Sequence, residues 1–478
     1  MRFAVLGAGM AGILTAIKLR EAGFDDFTVY EKADRVGGTW RENSYPGIAC
    51  DVPSHLYSYS FEPNPDWSHR FSPGAEIQRY FEGVVERYGV AKHLRLGSEV
   101  TRAEFADGRW HLESKEGRRD VVDVVIAATG VLHHPNVPTL EGIDRFRGAS
   151  FHSSRWDHAV KIDGARVGVV GTGSSAVQIV TAIVDRVAKL ALFQRTAQWI
   201  MPQENPPYGE AERAAFRRKP ALLAQAYTDL GTLFHAFSSG LLDADSQAMK
   251  MIEAACRGNL ETNVSDPVLR EKLRPSYRAA CKRLVMSPGF YRAVTQPNAE
   301  VVTEGIERIE EEGVRTRDGR LHPLDVLVLA TGFRVDRFVR PIEVKGRGGV
   351  LLDDVWAARP SAYLSISVPG FPNFFLLNGP NGPVGNFSLI EVAELQLGYV
   401  MQLVELVRSG RCREVSPSEE ATARFEAART EAAKTTIWAS GCRSWYLDDR
   451  GVPMSWPFTF ERFREEMAAP KLEAFELR

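Results

Sequence analysis

The hydrophobic positions of this chain form the same short pattern in two places. Near the start, the apolar run "FAVL" (3–6) is followed by apolar residues at helical spacing and then by a second run, "FTVY" (27–30). The runs "RVGVV" (166–170) and "LALF" (190–193) enclose a similar helical stretch. Short continuous apolar runs favour strands buried on both faces of a parallel sheet. The pattern therefore predicts two strand–helix–strand units and an α/β fold.

A glycine-rich turn joins the first strand to the helix in each unit. The two turns share the spacing G-x-G-x-x-G/A, with small residues at Gly7, Gly9, Gly12, Gly171, Gly173 and Ala176. In such a turn the first glycine permits a tight bend, the second lets the backbone approach a pyrophosphate, and the third lets the helix pack closely on the strand. The helix N-terminus, which carries Ser174 and Ser175 in the second unit, presents N–H groups to the phosphates. Each unit is predicted to bind a dinucleotide.

The residue that ends each unit differs in charge. Glu31 and Arg195 stand at the same distance from the first glycine of their units. A carboxylate accepts hydrogen bonds from a ribose diol but repels a 2′-phosphate, whereas a guanidinium can hydrogen-bond that phosphate. We therefore predict that the first unit binds FAD and that the second, with Arg195 and Thr196, binds NADPH. A solvated surface arginine at position 195 is the alternative interpretation.

Composition and charge argue against several other classes of protein. The chain has 478 residues and a formal net charge of −2, which gives no electrostatic basis for binding nucleic acid or an anionic membrane. Its five cysteines include no Cys-x-x-Cys pair, which argues against a disulfide scaffold, a zinc site or a dithiol redox centre. The start of the chain has no signal pattern, and no apolar run reaches the length of a membrane helix. We expect a cytoplasmic enzyme of several domains, without a metal ion and without an evident obligate protein partner.

Two longer motifs point to a family. The segment "GGTWRENSYPGIACD" (37–51) fits Gly-Gly-x-Trp, four residues, Tyr-Pro-Gly, three residues, Asp, and "FRGASFHSSRWD" (146–157) fits Phe-x-Gly-x-x-x-His-x-x-x-Trp-Pro/Asp. Together with the glycine-rich turns, they resemble the signatures of type I Baeyer–Villiger monooxygenases, relatives of the flavin-containing monooxygenases. The resemblance covers nearly the whole chain. It implies that NADPH reduces FAD, and that a flavin C4a-peroxide formed with O₂ converts a ketone into an ester or lactone.

The resemblance also implies how the domains are arranged. The runs "VDVVIAATG" (122–130) and "LDVLVLATGF" (324–333) both end in Thr-Gly, as the chain does in this family where it leaves and re-enters the FAD domain. We therefore expect a discontinuous FAD-binding domain with an NADPH-binding domain inserted in it. The stretch 205–280 is rich in Ala, Arg, Leu and Glu and poor in β-type runs, which predicts a helical sub-insertion. The expected bounds are 1–140 and 321–478 for the FAD-binding domain, 141–204 and 281–320 for the NADPH-binding domain, and 205–280 for the helical insertion.

The resemblance assigns the chemistry to residues that are far apart in sequence. The segment "CKRLVMSPGFY" (281–291) resembles the one that carries the family's active-site arginine, so that Arg283 is expected to stabilise the anionic peroxide, with Asp51 as its carboxylate partner. Arginine suits this role because it stays charged at any working pH and holds its donors in a plane. A salt-bridged structural cation at 283 and a turn aspartate at 51 are the alternatives. Further positions match cofactor contacts of the family: Thr39, Trp40 and Tyr57 beside FAD, and Lys282 and Trp445 beside NADPH.

Other interpretations remain open at the level of the sequence. His152, within the second long motif, is either a hinge or cofactor-orienting residue or an ordinary hydrogen-bonded histidine, and nothing around it has metal-ligand spacing. The nearest alternative activity is oxygenation of a nitrogen or sulfur atom. A non-oxygenating flavin reductase would need a redox cysteine pair, and a non-catalytic cofactor-binding protein is the third possibility.

Overall fold

The first predicted unit forms the centre of a five-stranded parallel sheet. The computed structural model describes residues 1–383, 385, 387–442, 444, 447–448 and 451–478. The predicted strands are confirmed at Phe3–Leu6 (β1) and Phe27–Tyr30 (β2), with the helix Met10–Glu21 (α1) between them. All residues of both strands are buried, as expected for a parallel sheet covered on both faces. The strand order is β19–β7–β1–β2–β3, completed by Leu94–Arg95 (β3), Val124–Ala127 (β7) and Phe374–Leu376 (β19).

The second predicted unit forms the centre of another five-stranded parallel sheet. Arg166–Val170 (β9), Ser174–Ile183 (α4) and Lys189–Phe193 (β10) supply the predicted strand, helix and strand. The order is β13–β10–β9–β17–β8, completed by Ala149–His152 (β8), Ala299–Val302 (β13) and Val326–Leu329 (β17). The chain thus has the predicted α/β class with two nucleotide-binding-type units.

One strand corrects the expected domain bounds. Strand β17 pairs with β8 and β9 of the second sheet. Residues 326–329 therefore belong with the second nucleotide-binding unit, although we expected the FAD-binding domain to resume at residue 321. Strands β7 and β17 both lead into Thr-Gly because each ends at the carboxyl edge of a parallel sheet, and this local signal is the same in either sheet. The chain returns to the first sheet only at β19.

Smaller sheets and helices surround the two parallel sheets. The remaining strands are Val100–Ala106 (β4), Arg109–Ser114 (β5), Arg119–Val122 (β6), Ile200–Met201 (β11), Val285–Met286 (β12), Ile306–Glu310 (β14), Gly313–Thr316 (β15), Leu321–Pro323 (β16), Glu343–Lys345 (β18), Val415–Pro417 (β20) and Phe475–Leu477 (β21). The remaining helices are Thr39–Glu42 (α2), Gly74–Arg87 (α3), Glu210–Arg218 (α5), Pro220–Ser239 (α6), Gln247–Asn263 (α7), Pro267–Lys272 (α8), Phe290–Val294 (α9), Leu352–Val355 (α10), Leu389–Arg408 (α11), Glu419–Ala433 (α12) and Phe460–Ala468 (α13). Helices α5 to α8 fall within the stretch predicted to be a helical insertion. None of the helices in the described part of the chain has the length and apolar character needed to span a membrane.

A disulfide bond corrects the interpretation of the cysteines. Cys281 and Cys442 are covalently linked although they are 161 positions apart, with their Cα atoms 6.2 Å from each other. Cys50, Cys256 and Cys412 are free and buried. The sequence showed no pair because the two partners are brought together only by the packing of a hydrophobic cluster that includes Met249, Ala279 and Trp438.

His55, which follows the first nucleotide-binding unit in the chain, contacts the helical insertion. This contact predicts that the stability of the protein falls in acid. Burial lowers the pKa of His55 to about 4, and its ring lies 5.0 Å from that of Tyr208 and 4.7 Å from that of Phe216. Because the unfolded chain takes up the proton near pH 6.5 and the folded chain only near pH 4, stability falls as the pH drops through this window, by up to about 1.4 kcal/mol per pH unit. Denaturant unfolding at pH 7 and pH 5 measures the loss. We expect His55→Leu to lose less unfolding free energy between pH 7 and pH 5 than the wild type does. His111→Leu alters an exposed histidine and should lose as much as the wild type.

Candidate active site

One cavity of about 1190 Å³ lies between the carboxyl edges of the two parallel sheets. It exceeds the roughly 300–1,000 Å³ of an ordinary small-molecule pocket. The predicted site residues that line it are Gly7, Gly9, Glu31, Thr39, Trp40, Asp51, Tyr57, Gly171, Gly173, Ser174, Ser175, Arg195, Thr196, Lys282 and Arg283. Gly12 packs beneath the first turn and is not part of the lining, and the prediction for Trp445 falls outside the described residues.

The two glycine-rich turns leave uncapped helix ends at this cavity. Gly7 and Gly171 have φ angles of 101° and 119°, which favour glycine. Helices α1 and α4 begin after Gly9 and Gly173, and neither has a capping side chain or an acidic residue in its first turn. Free N–H groups and the positive end of the helix dipole suit an anion such as a pyrophosphate. Both turns therefore fit the phosphates of a dinucleotide.

Gly12 provides a test of the first turn. A Cβ atom at residue 12 would lie 1.8 Å from the carbonyl oxygen of Gly7, so the turn would have to move away from helix α1. We expect Gly12→Ala to purify with little or no bound FAD, as measured by the ratio of flavin to protein absorbance. Gly258→Ala is the control, since a Cβ atom there meets nothing within 4 Å, and full FAD content is expected. A Gly12→Ala protein with normal FAD content would contradict the role of this close contact.

Glu31 is a buried carboxylate at the end of β2. It is 5% exposed, and its oxygens accept hydrogen bonds from the backbone N–H groups of Ala8 (2.9 Å) and Ala33 (3.0 Å). The guanidinium of Arg41 lies 3.2 Å from Glu31 and 2.7 Å from Glu42. Sequence reasoning missed Arg41, whose charge compensates that of Glu31. These contacts hold the carboxylate in place at the cavity wall, where a ribose diol could donate to it.

Two cations lie together at the second unit. Arg195 is exposed at the end of β10, and Lys282 lies half-buried with its Nζ atom 4.6 Å from the ring centre of Tyr277. Burial, and then the nearby charge of Arg195, lower the pKa of Lys282. Within the described residues, neither cation makes an ion pair with a carboxylate. Such a pair of cations fits a phosphate group, which would neutralise both.

Arg283 and Asp51 meet in the cavity although they are 232 positions apart. The Nη2 atom of Arg283 donates to Oδ2 of Asp51 at 2.5 Å, and Nη1 donates to the carbonyl oxygen of Gly385 at 3.3 Å. The two side chains are 31% and 28% exposed, so that the pair is accessible from the cavity. This geometry agrees with the predicted pairing. A guanidinium held in this way at a cavity wall can stabilise a negatively charged oxygen.

Two predicted aromatic residues contact each other near this pair. The indole N–H of Trp40 donates to the hydroxyl oxygen of Tyr57 at 3.1 Å, and their ring centres are 5.6 Å apart in an edge-to-face arrangement. Burial raises the pKa of Tyr57 far above its ordinary value, so its hydroxyl stays protonated at any working pH. Both rings line the cavity.

The histidines near the cavity are hydrogen-bonded to backbone groups. His152 does not line the cavity, and its ring nitrogens lie 3.0 Å from the carbonyl oxygen of Gly332 and 2.9 Å from Oγ of Ser154. This arrangement favours the interpretation of His152 as an ordinary hydrogen-bonded histidine next to the cavity. His133 and His134 do line it, and sequence reasoning missed them because no motif includes them.

Phe234 is a further lining residue that the sequence did not single out. It lies on α6 of the helical insertion, so the insertion contributes to the cavity. A phenylalanine in an Ala- and Leu-rich helix carries no signal that separates a cavity-lining residue from a core residue.

Comparison with known proteins agrees with this geometry. Residues 1–211 match the flavin-binding monooxygenase-like family. The chain is 46% identical over 475 residues to an uncharacterized monooxygenase of Mycobacterium tuberculosis, with 99% of this chain and 96% of the relative covered. It is 39% identical over 489 residues to a Baeyer–Villiger monooxygenase of Streptomyces coelicolor, with 100% and 92% covered. The crystal structure of cyclohexanone monooxygenase from Rhodococcus sp. Phi1 bound to NADP⁺ superposes with a TM-score of 0.90 at 29% identity, with 100% and 99% covered.

The fold, the cavity and these relatives define a flavin-dependent monooxygenase that uses FAD and NADPH. The chain belongs to the type I Baeyer–Villiger monooxygenases of the flavin monooxygenase superfamily. The predicted family, enzyme class and cofactors are therefore confirmed. The roles of individual site residues and the cytoplasmic location remain predictions.

Proposed function

We propose that this enzyme inserts one atom of O₂ beside the carbonyl group of a ketone and releases an ester or a lactone. The observation that carries the proposal is the Arg283–Asp51 pair, which lies in a cavity that both nucleotide-binding units line. We assign FAD to the unit with Glu31 and NADPH to the unit with Arg195 and Lys282. Bound FAD would accept hydride from NADPH and activate O₂.

We assign to Arg283 the stabilisation of the negative charge that develops during the reaction. Its guanidinium stays charged at any working pH, and a fixed cation in a site of low polarity stabilises negative charge far better than water does. In attack on a ketone, negative charge collects on the attacking oxygen and then on the carbonyl oxygen. Asp51 orients the guanidinium and keeps a half-buried cation from being unpaired.

The surrounding residues have supporting roles in this proposal. The uncapped ends of α1 and α4 would bind the two pyrophosphates. Arg195 and Lys282 would bind the 2′-phosphate of NADPH, and Trp40 and Tyr57 would exclude water from the reacting groups. A non-oxygenating reductase is less well supported, because the cavity lining includes Cys50 but neither Cys281 nor Cys442 in the part of the chain that the structure describes.

Two measurements on the purified FAD-loaded enzyme test the proposed function. Anaerobic mixing with NADPH should bleach the flavin absorbance, which a non-catalytic cofactor-binding protein would not do. A panel of ketones with ¹⁸O₂ should then give esters or lactones that carry one ¹⁸O atom, with NADPH consumed in proportion. Sulfide and amine substrates belong in the same panel. Formation of sulfoxides or N-oxides without any ester would contradict ketone oxygenation and favour heteroatom oxygenation.

A further inference from the structure

The Cys281–Cys442 disulfide lies directly beside the two cations of the candidate site. Cys281 precedes Lys282 and Arg283 in sequence and is fully buried, whereas both cations line the cavity. Cys442, which is 8% exposed, belongs to a separate C-terminal part of the chain. The bond therefore joins the backbone that carries the candidate catalytic arginine to a part of the molecule 161 positions away.

The backbone around Lys282 and Arg283 is irregular and depends on a few anchors. Helix α8 ends at Lys272, and regular structure resumes only with β12 at Val285. Just before this span in the chain, the carbonyl oxygen of Tyr277 accepts a hydrogen bond from Nε1 of Trp199 at 2.6 Å, and Arg278 pairs with Glu253 at 2.8 Å. Beyond these contacts, residues 279–284 are held by the side-chain bonds of Arg283 to Asp51 and Gly385, by side-chain packing and by the disulfide.

The conformation of this span requires such restraint. Ala280 has a φ angle of 64°, which is uncommon for a residue with a Cβ atom and persists only where the surroundings impose it. Ala280 is 3% exposed and Cys281 is fully buried. The N–H of Cys281 donates to the carbonyl oxygen of Arg278, and the N–H of Val285 donates to that of Trp199. The disulfide is the covalent element that fixes this span to the segment that carries Cys442.

We propose that Cys281 and Cys442 are positioning residues, whose disulfide bond holds Lys282 and Arg283 at the cavity. This inference rests on the proposed function of those two cations. Formation of the bond removes two electrons and two protons from the two thiols, and hydrogen peroxide, which accepts them, is reduced to two molecules of water. A dithiol reagent reverses the process by giving two electrons and two protons to the sulfur atoms and becoming a disulfide itself. In the reduced enzyme the span 279–284 loses its covalent restraint.

The first test is the state of the thiols in the purified holoenzyme. Denatured without reductant, the chain should show three reactive thiols, and after reduction it should show five. Mass spectrometry of a digest should find the cross-linked peptide of Cys281 and Cys442. Five reactive thiols before reduction would overturn the proposal, whatever the activity of the enzyme.

The second test separates positioning from a merely structural role. Compared with the oxidised wild type, the reduced wild type and Cys442→Ala should both show a several-fold higher KM for NADPH and a kcat lower by about tenfold. A small displacement of a catalytic group produces losses in this range. They should also form more hydrogen peroxide and less ester per NADPH. Cys256→Ala is the matched control, because Cys256 lies in the same hydrophobic cluster but is free. Cys256→Ala should keep both kinetic constants even if its melting temperature falls.

The readouts also distinguish failure of this inference from failure of the proposed function. NADPH affinity and the anaerobic rate of flavin reduction need no ketone, so they report on the position of Lys282 even if no ester is ever formed. If these values are the same in the oxidised, reduced and Cys442→Ala enzymes, the disulfide has no positioning role. If Cys442→Ala fails to fold, the comparison of oxidised with reduced wild type decides.

Discussion

Replacement of Arg283 by alanine is expected to abolish ester or lactone formation while NADPH still reduces the flavin. The substitution removes the cation that pairs with Asp51 at the cavity, at 2.5 Å in the wild-type structure. Loss of a single charge-stabilising donor in a catalytic site costs about 10²–10³ in kcat, and loss of a full charge should be at the upper end of this range. Ester formation by chromatography and anaerobic flavin bleaching by stopped flow are the two measurements.

Two further variants sharpen the test of Arg283. Arg283→Lys keeps the positive charge but loses the planar arrangement of donors, so we expect it to retain partial activity. Arg166→Ala is the matched control, because Arg166 also pairs with an aspartate, Asp325 at 2.6 Å, but lies away from the cavity. If Arg283→Ala forms ester at a rate close to that of wild type, the assignment of Arg283 is wrong.

Replacement of Arg195 by alanine is expected to remove most of the preference for NADPH over NADH. We expect the wild-type enzyme to prefer NADPH by about 10- to 100-fold in kcat/KM, because a hydrogen bond to a charged phosphate contributes about 1.5–3 kcal/mol. Arg195 and Lys282 would share this phosphate, so the variant should retain a small preference. Steady-state kinetics with both cofactors give the ratio directly.

The control for Arg195 comes from the same strand. Lys189 begins β10, at the end opposite to Arg195, and pairs with Glu300 at 3.2 Å. Lys189→Ala removes one positive charge without touching the cavity, so its cofactor preference should equal that of wild type. An unchanged NADPH-to-NADH ratio in Arg195→Ala would exclude Arg195 as the residue that recognises the 2′-phosphate.

Much of the candidate site could be predicted because its parts are local in sequence. Gly7 and Glu31 belong to one strand–helix–strand unit, and Gly171 and Arg195 to the other. The fold of such a unit brings its turn and its last residue to the same edge of a parallel sheet, so the residues within each unit were predicted together. His133, Arg41 and Phe234 were missed because their places at the cavity depend on contacts between separate elements.

By itself, the sequence determined the two nucleotide-binding units, the opposite charges of Glu31 and Arg195 that end them, and the family to which the chain belongs. These properties depend on hydrophobic period, turn glycines and short motifs, whose physical effects act over one or two neighbouring elements. Only the tertiary structure decided that β17 joins the second sheet and that Cys281 bonds to Cys442. Each of these contacts joins residues more than a hundred positions apart, and it forms because burial of the shared cores, not any local pattern, brings those segments together.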